Sequence, residues 1–248
     1  MKISIITTTH NSAATVKDTL QSVNAQTYHD IEHIIVDGAS NDNTLEIVRE
    51  YGQRVAKVIS ESDKGIYDAM NKGIRAATGD VIGILNSDDF FSSNDVISVV
   101  AKTFVENNID ALYGDVHFVN PDDLNKMVRY YSSKIFKPSL FRLGFMPAHP
   151  SFYMKRECYE KHGLYSLDYK IASDYDLLIR YLYKVGIKYQ YVPRDFVTMR
   201  TGGVSTENLN SRITLNKEIV RACKKYGICT NMFLLSLKYF YKIFELRK

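Results

Sequence analysis

Residues 80–89 read DVIGILNSDD, a run of apolar side chains that ends in an amide, a hydroxyl and two adjacent carboxylates. A near-continuous apolar strand is what a parallel sheet covered on both faces requires. Working outward, ISIITTT (3–9), IEHIIVD (31–37) and VAKVIS (55–60) also read as strands. Helical stretches separate them. The first is capped near Asn11 or Ser12, with Ala13, Val16, Leu20 and Val23 on one face. Others cover about 43–51, 66–77 and 94–107. Strand and helix alternate four times, which predicts a doubly wound α/β sheet. Such sheets bind ligands at the carboxyl ends of their strands. Polar clusters stand at those ends: Thr9-His10-Asn11, Asp37-Gly38 and Asn86-Ser87-Asp88-Asp89.

The second half is less regular. Residues 110–119 and 126–131 read as strands around a PDDL turn, 138–144 as a short helix, and SFYMKR and KYQYVP as further strands. SDYDLLIRYLYKVG reads as a helix, and two basic helices, about 206–226 and 231–246, close the chain.

Charge is unevenly spread. Of the formal net +4, the part from Arg212 onward carries +7 and the first 210 residues −3. An acidic body suits metal and phosphate chemistry, and the basic tail reads as a surface-seeking appendage. A nucleic-acid binder is not expected, because the excess charge is confined to that tail. Cys158, Cys223 and Cys229 are odd in number and lack metal-ligand spacing, so reduced thiols and a cytoplasmic setting are expected. The apolar start at Ile3–Ile6 is too short for a secretory leader, and no apolar run is long enough to span a bilayer.

Adjacent carboxylates repel unless a cation or hydrogen bonds hold them, so Asp88-Asp89 read as a Mg²⁺ or Mn²⁺ site shared with phosphates, or as a helix cap. Asp37-Gly38-Ala39-Ser40 reads as a ribose- or base-binding turn, or as a plain turn. Asp174 and Asp176 open a helix, where carboxylates are favoured by the helix dipole. Asp174 is also a candidate general base, whereas Asp176 is assigned a structural role. His149 before a strand reads more readily as structural than as catalytic. The Gly202-Gly203-Val204-Ser205 pair-and-turn reads as a closing loop or a hinge.

Over about residues 1–205 these segments resemble inverting family-2 glycosyltransferases with the GT-A fold. Thr9-His10-Asn11, the Asp37–Ser40 turn, DKGIYDAMNKG (63–73), Asn86–Asp89, Ser173-Asp174 and Gly202–Ser205 match that family's motifs in order. The chain departs from the pattern at Thr8, where Pro is usual, at Gly38 and Asn86, where Asp is usual, and at Ser173, where Glu is usual. The resemblance implies a mixed doubly wound GT-A sheet with helices on both faces. It places a nucleotide-binding half at 1–109, an acceptor half at 110–205 and a basic helical extension at 206–248. It further implies a nucleotide-sugar donor contacted by Thr9, Asn11, Asp37, Lys64, Asn71 and Asp89, a divalent cation (Mn²⁺ or Mg²⁺) on Asp88, and Asp174 as base. The implied activity is transfer of a sugar, from a UDP-sugar, to a glycan or lipid-linked saccharide in cell-surface polysaccharide synthesis. A silent sugar-nucleotide-binding scaffold is the alternative, given Asn86 and Ser173. A nucleotidyltransferase is disfavoured, because strand one lacks a Gly-rich basic loop.

The last helix carries Phe233, Leu237, Phe240, Tyr241 and Phe244 at helical spacing, with Lys238 and Lys242 between them. It is expected either to lie in a membrane interface at the inner face of the plasma membrane, or to pack on its own domain or in a homodimer.

Overall fold

The computed structural model describes residues 1–202 and 209–242. Gly203 to Ser205, and the side chains of Phe240, Tyr241, Lys242 and Phe244, lie outside the described residues. The strands are β1 (Ile3–Thr9), β2 (Ile31–Asp37), β3 (Val55–Ser60), β4 (Val81–Ile84), β5 (Phe90–Phe91), β6 (Ala111–Asn120), β7 (Asp123–Tyr131), β8 (Phe152–Lys155) and β9 (Tyr189–Arg200). The helices are α1 (Val16–Asn24), α2 (Thr44–Tyr51), α3 (Ile66–Ala76), α4 (Val96–Glu106), α5 (Arg156–His162), α6 (Ser173–Leu178), α7 (Leu209–Lys225) and α8 (Met232–Lys242). A π-helical stretch, Ile179–Val185, continues α6.

One sheet runs through the molecule in the order β3-β2-β1-β4-β8-β6-β9-β5, with β7 paired to β6. The strands β1 to β4 are mutually parallel, β8 is antiparallel to β4, and β9 is parallel to β6. The expected mixed doubly wound sheet is therefore present. No break in the sheet separates the halves expected to meet at residue 109.

The strand β4 explains its own composition. Ile82 and Ile84 are buried in the cluster that contains Met70 and Ile74 of α3, while Val81 and Leu85 are buried in the cluster containing Val96, Ile97 and Val100 of α4. Both faces are covered, so both must be apolar. The strand stops at Ile84, and residues 85–89 leave the sheet as a loop.

Three differences from the sequence expectation have physical causes. The strand β9 continues to Arg200, past Pro193, because its pairing with β6 shifts register between Tyr113 and Asp115, opposite Tyr191 and Asp195. A proline that cannot donate to the ladder is tolerated at such an irregularity. The helix α1 begins at Val16 rather than near Asn11, because residues 12–15 form a turn in which the Ser12 carbonyl accepts the N–H of Thr15 and Val16. The basic C-terminal helices are not an appendage. Ile219, Ala222, Cys223, Ile228 and Leu235 are buried in the same cluster as α3 and α6. Lys238 is buried, with its ammonium 2.9 Å from Asn216 Oδ1.

Gly83 pairs with Tyr153 across the β4–β8 ladder. A Cβ at 83 would lie 2.3 Å from Tyr153 Cε1, and that ring is buried edge-on against Phe196. Gly83→Ala is expected to destabilise the fold by about 1–3 kcal/mol through overpacking. Denaturant unfolding measures it, and an unchanged midpoint would mean that the ring yields freely.

Candidate active site

The parallel register sets Thr9 beside Asp37 at the ends of β1 and β2. Thr9 Oγ1 donates to Asp37 Oδ1 at 2.9 Å, and Ser40 Oγ donates to the same oxygen at 2.5 Å. Ser40 N–H and Ser60 Oγ donate to Oδ2 at 3.0 and 2.8 Å. Asp37 is fully buried. Burial alone raises its pKa, but the hydrogen bonds from Ser40, Ser60 and Thr9 outweigh it and hold the carboxyl below its ordinary range. Both oxygens are thus spent within the protein. The expected hydrogen bond from Asp37 to a base gives way to a role in tying three strand ends together.

The first two loops are laced to each other. Asn11 and Ala39 both adopt left-handed backbone, with φ of 49° and 57°. Asn11 N–H donates to Ser40 Oγ, and Asn11 Oδ1 accepts the Asn41 N–H at 3.0 Å. A Cβ on Gly38 would sit 2.6 Å from Asp63 Oδ2, so the group that approaches this glycine is the chain's own carboxylate. Asp63 is a residue at this mouth that sequence reading passed over. Lys64 is exposed beside it, before Gly65, whose φ of 106° suits glycine.

The third loop joins through Ser87 Oγ, which bonds Ser12 Oγ at 2.9 Å. Thr19 Oγ1 donates to the Asp89 carbonyl at 2.7 Å, and the Asp89 N–H returns to the Asn86 carbonyl. Arg200, at the end of β9, donates to the Asp88 carbonyl and pairs with Asp18. The Asp88 carboxylate is half-buried, and Asp89 is 1% exposed. Burial, and then the neighbouring Asp88 charge, push Asp89 well above the usual carboxylate range. Its side chain meets the Asn86 amide nitrogen at 3.2 Å, so Asp89 supports the loop from beneath instead of facing a donor sugar. Among the described residues, Asn86 Oδ1 is buried without a partner.

Among the described residues, no group of three His, Cys, Asp or Glu side chains could hold a metal ion. The loop instead offers one half-buried carboxylate and one orphaned amide oxygen. That donor set fits a hard cation that takes most of its ligands from phosphates, as Mg²⁺ commonly does.

Asn71 does not join this group. It is 2% exposed, its Nδ2 donates to the Tyr165 carbonyl and its Oδ1 accepts the Tyr165 N–H, each at 2.9 Å. Buried and bonded to both backbone polar groups of Tyr165, the amide acts as a clamp, which corrects its expected role at the donor.

Asp174 opens α6, half-buried, and accepts the Tyr175 N–H at 2.7 Å. Burial raises its carboxyl to about 6, against opposing hydrogen bonds that include one from Tyr67. Its neighbour Asp176 is fully buried and bonds Lys225 at 2.9 Å and Tyr226 at 3.3 Å, a structural tie between α6 and α7. His149 Nε2 lies 2.5 Å from the Tyr165 hydroxyl, and burial lowers that imidazole to about 4.

With this geometry established, the sequence profile of glycosyl transferase family 2 matches residues 4–163. The chain belongs to that family. A PGL/p-HBAD biosynthesis glycosyltransferase of Mycobacterium bovis is 31% identical over 188 residues, covering 71% of this chain and 68% of the relative. An uncharacterized glycosyltransferase of Mycobacterium tuberculosis is 33% identical over 182 residues, covering 72% of this chain and 68% of the relative. The crystal structure of S. aureus TarS 1–349 in complex with UDP-GlcNAc has a TM-score of 0.69 at 17% identity, covering 92% of this chain and 68% of that one. A mannosyltransferase from Pyrobaculum calidifontis in complex with GDP-Man and Mn²⁺ has a TM-score of 0.65 at 20% identity, covering 90% and 63%. The chain is thus a glycosyltransferase with the GT-A fold. Among the described residues, no helix of the transferase is long and apolar enough to cross a membrane.

Asp37→Asn leaves a buried amide that cannot accept all four bonds. A loss of about 1–3 kcal/mol is expected at neutral pH. Because the folded-state pKa is lowered, this contribution is present above the unfolded carboxylate's pKa and is lost as pH falls through the folded one. The stability gap between wild type and variant, from urea unfolding, should therefore shrink from pH 7 toward pH 3. A gap independent of pH would contradict the role.

Proposed function

We propose that this transferase moves a sugar from a UDP-sugar to a glycan or lipid-linked saccharide acceptor, with inversion, in cell-surface polysaccharide synthesis. The observation that carries the reading is the half-buried Asp174 carboxylate, held near a pKa of about 6 and therefore mostly ionised at neutral pH yet basic enough to take a proton. Relatives described as glycosyltransferases, and a structural neighbour holding a UDP-sugar, support the donor class.

In this reading the nucleotide lies over the laced loops of Thr9, Asn11 and Asp37, with Lys64 at their edge. The diphosphate lies toward Asp88, beside the unpaired Asn86 Oδ1. A divalent cation, Mn²⁺ or Mg²⁺, held there by Asp88 supplies neutralisation of charge on the departing diphosphate. Asp174 accepts the proton of the acceptor hydroxyl as its oxygen attacks the anomeric carbon and the UDP bond breaks. A single displacement of this kind inverts the anomeric centre, through a transition state with oxocarbenium character.

The test follows UDP release from UDP-hexoses and UDP-N-acetylhexosamines with Mn²⁺ and a glycan acceptor. Asp174→Asn is expected to abolish transfer while UDP binding stays within about twofold. In the wild type, kcat/KM should fall as pH drops below about 6, because a base works only when deprotonated. Asp88→Ala should abolish the cation dependence of UDP binding measured by calorimetry. Full transfer by Asp174→Asn would overturn the assignment of the base.

Peripheral contact with an anionic bilayer, at the inner face of the plasma membrane, is part of the same proposal. Met232, Phe233 and Leu237 of α8 are 46%, 72% and 39% exposed. Exposed Arg142 is tied to the segment that leads into α8, its carbonyl accepting the Thr230 hydroxyl at 2.5 Å. Phe233→Glu should reduce sedimentation with phosphatidylglycerol vesicles by about fivefold or more. Equal sedimentation would remove the membrane contact.

A further inference from the structure

The segment that delivers Asp174 is held from two sides. From α7, the Glu218 carboxylate accepts the backbone N–H groups of Lys170, Ile171 and Ala172 at 2.8, 2.8 and 2.9 Å. From α3, the Tyr67 hydroxyl has one hydrogen, for which the Ile171 carbonyl and the Asp174 carboxylate are alternative acceptors, and its oxygen faces the N–H groups of Ser173 and Asp174. The first N–H groups of a helix have no partner within it. Ala172, at the cap position of α6, offers no side chain to satisfy them. The Tyr67 oxygen faces the N–H groups of Ser173 and Asp174, Asp174 takes the Tyr175 N–H, and Glu218 holds the N–H groups of the three residues that lead into the helix.

Tyr67 is itself braced. Its ring stacks on Tyr165 with centroids 5.7 Å apart and planes 20° apart. Asn71, one turn further along α3, clamps both backbone polar groups of Tyr165. The Tyr165 hydroxyl ends the column on His149. Position 67 therefore has little freedom, and neither does the chain that it bonds.

We propose that Tyr67 and Glu218 are positioning residues that clamp segment 170–174 between α3 and α7 and hold the Asp174 carboxylate in place for proton transfer. The proposal rests on Asp174 being the base. The two groups act on that carboxyl with opposite sign: the Tyr67 hydroxyl stabilises the ionised form, and the Glu218 charge destabilises it. The other titratable groups facing Asp174 are Tyr165 and Tyr175, which burial keeps protonated, while Asp176 is tied to Lys225.

The experiment titrates the carboxyl carbon of Asp174 by NMR in full-length protein labelled with ¹³C-aspartate, the signal being assigned from its absence in Asp174→Asn. Tyr67→Phe keeps the stacked ring and removes the hydroxyl, so the midpoint is expected to rise. Glu218→Gln removes the charge and keeps an acceptor for the backbone, so the midpoint is expected to fall. UDP affinity with Mn²⁺ should stay within about twofold in both, because neither side chain touches the strand-end loops. Midpoints that stay put, or that move in the same direction, overturn the clamp. Should Tyr67→Phe fail to fold, Glu218→Gln decides alone, and an unmoved midpoint overturns the proposal. Retained transfer by Asp174→Asn would instead defeat the assignment of the base, and the midpoints would still report on the clamp.

Discussion

A carboxylate without access to water, accepting hydrogen bonds on both oxygens, stands at the end of β2. Burying an ionised carboxylate is costly unless its lone pairs are satisfied. Asp37 is satisfied by donors from β1, from the turn after β2, and from β3. Each donor lies on a different segment, so removing the charge would free three strand ends together. The polar loops of a doubly wound sheet would otherwise be its most mobile parts. Here they are cross-linked from below, which lets the groups above them present a fixed surface to a ligand.

The contrast with the third loop is instructive. At Asp37 every acceptor is used, whereas around Asp88 the hydrogen bonding is unfinished. Among the described residues, Asn86 Oδ1 has no partner, and the buried Asp89 side chain bonds only the Asn86 amide. The backbone of the same loop is held firmly by Thr19 and Arg200. A rigid backbone carrying unsatisfied oxygens is what a phosphate-borne cation can complete, since such ions need few protein ligands. Asp89 is pushed toward its neutral form by burial and by the adjacent Asp88 charge, and the Asn86 amide, which bonds it without adding a further negative charge, opposes that shift.

The first three strands were legible in sequence because their β-branched runs are local, whereas the cap expected near Asn11 or Ser12 was not found, since α1 begins at Val16 after a turn. β1, β2 and β3 occupy the residues that their β-branched runs predict. The saturation of Asp37 was not legible, since it requires Ser60 on another strand. Arg200 lies 112 residues from Asp88, and nothing in TMR marks it as the brace of that loop. Asn71 was misread for the same reason, because its partner lies 94 residues away. The C-terminal helices misled by composition: Ile219, Ala222 and Cys223 are few among basic neighbours, yet they are the residues that face the core. Lys238 shows that a buried amine with an amide partner is indistinguishable in sequence from a solvated one.

That last point changes how the tail relates to chemistry. A basic appendage would leave Asp174 to be positioned by its own short helix, and six residues with an alanine cap make a weak support. Because α7 is packed into the core, Glu218 arrives at the backbone just before Asp174, and Lys225 neutralises the adjacent Asp176. An unpaired Asp176 close by would raise the Asp174 pKa further through like-charge repulsion. The net charge of +7 that set the tail apart in sequence therefore conceals two separate functions. One cation compensates a buried carboxylate next to the site. Others, such as Lys217 and Lys224, are exposed and free to meet anionic surroundings. The helix thus packs one face into the core beside Asp174 while its outer, basic face stays exposed.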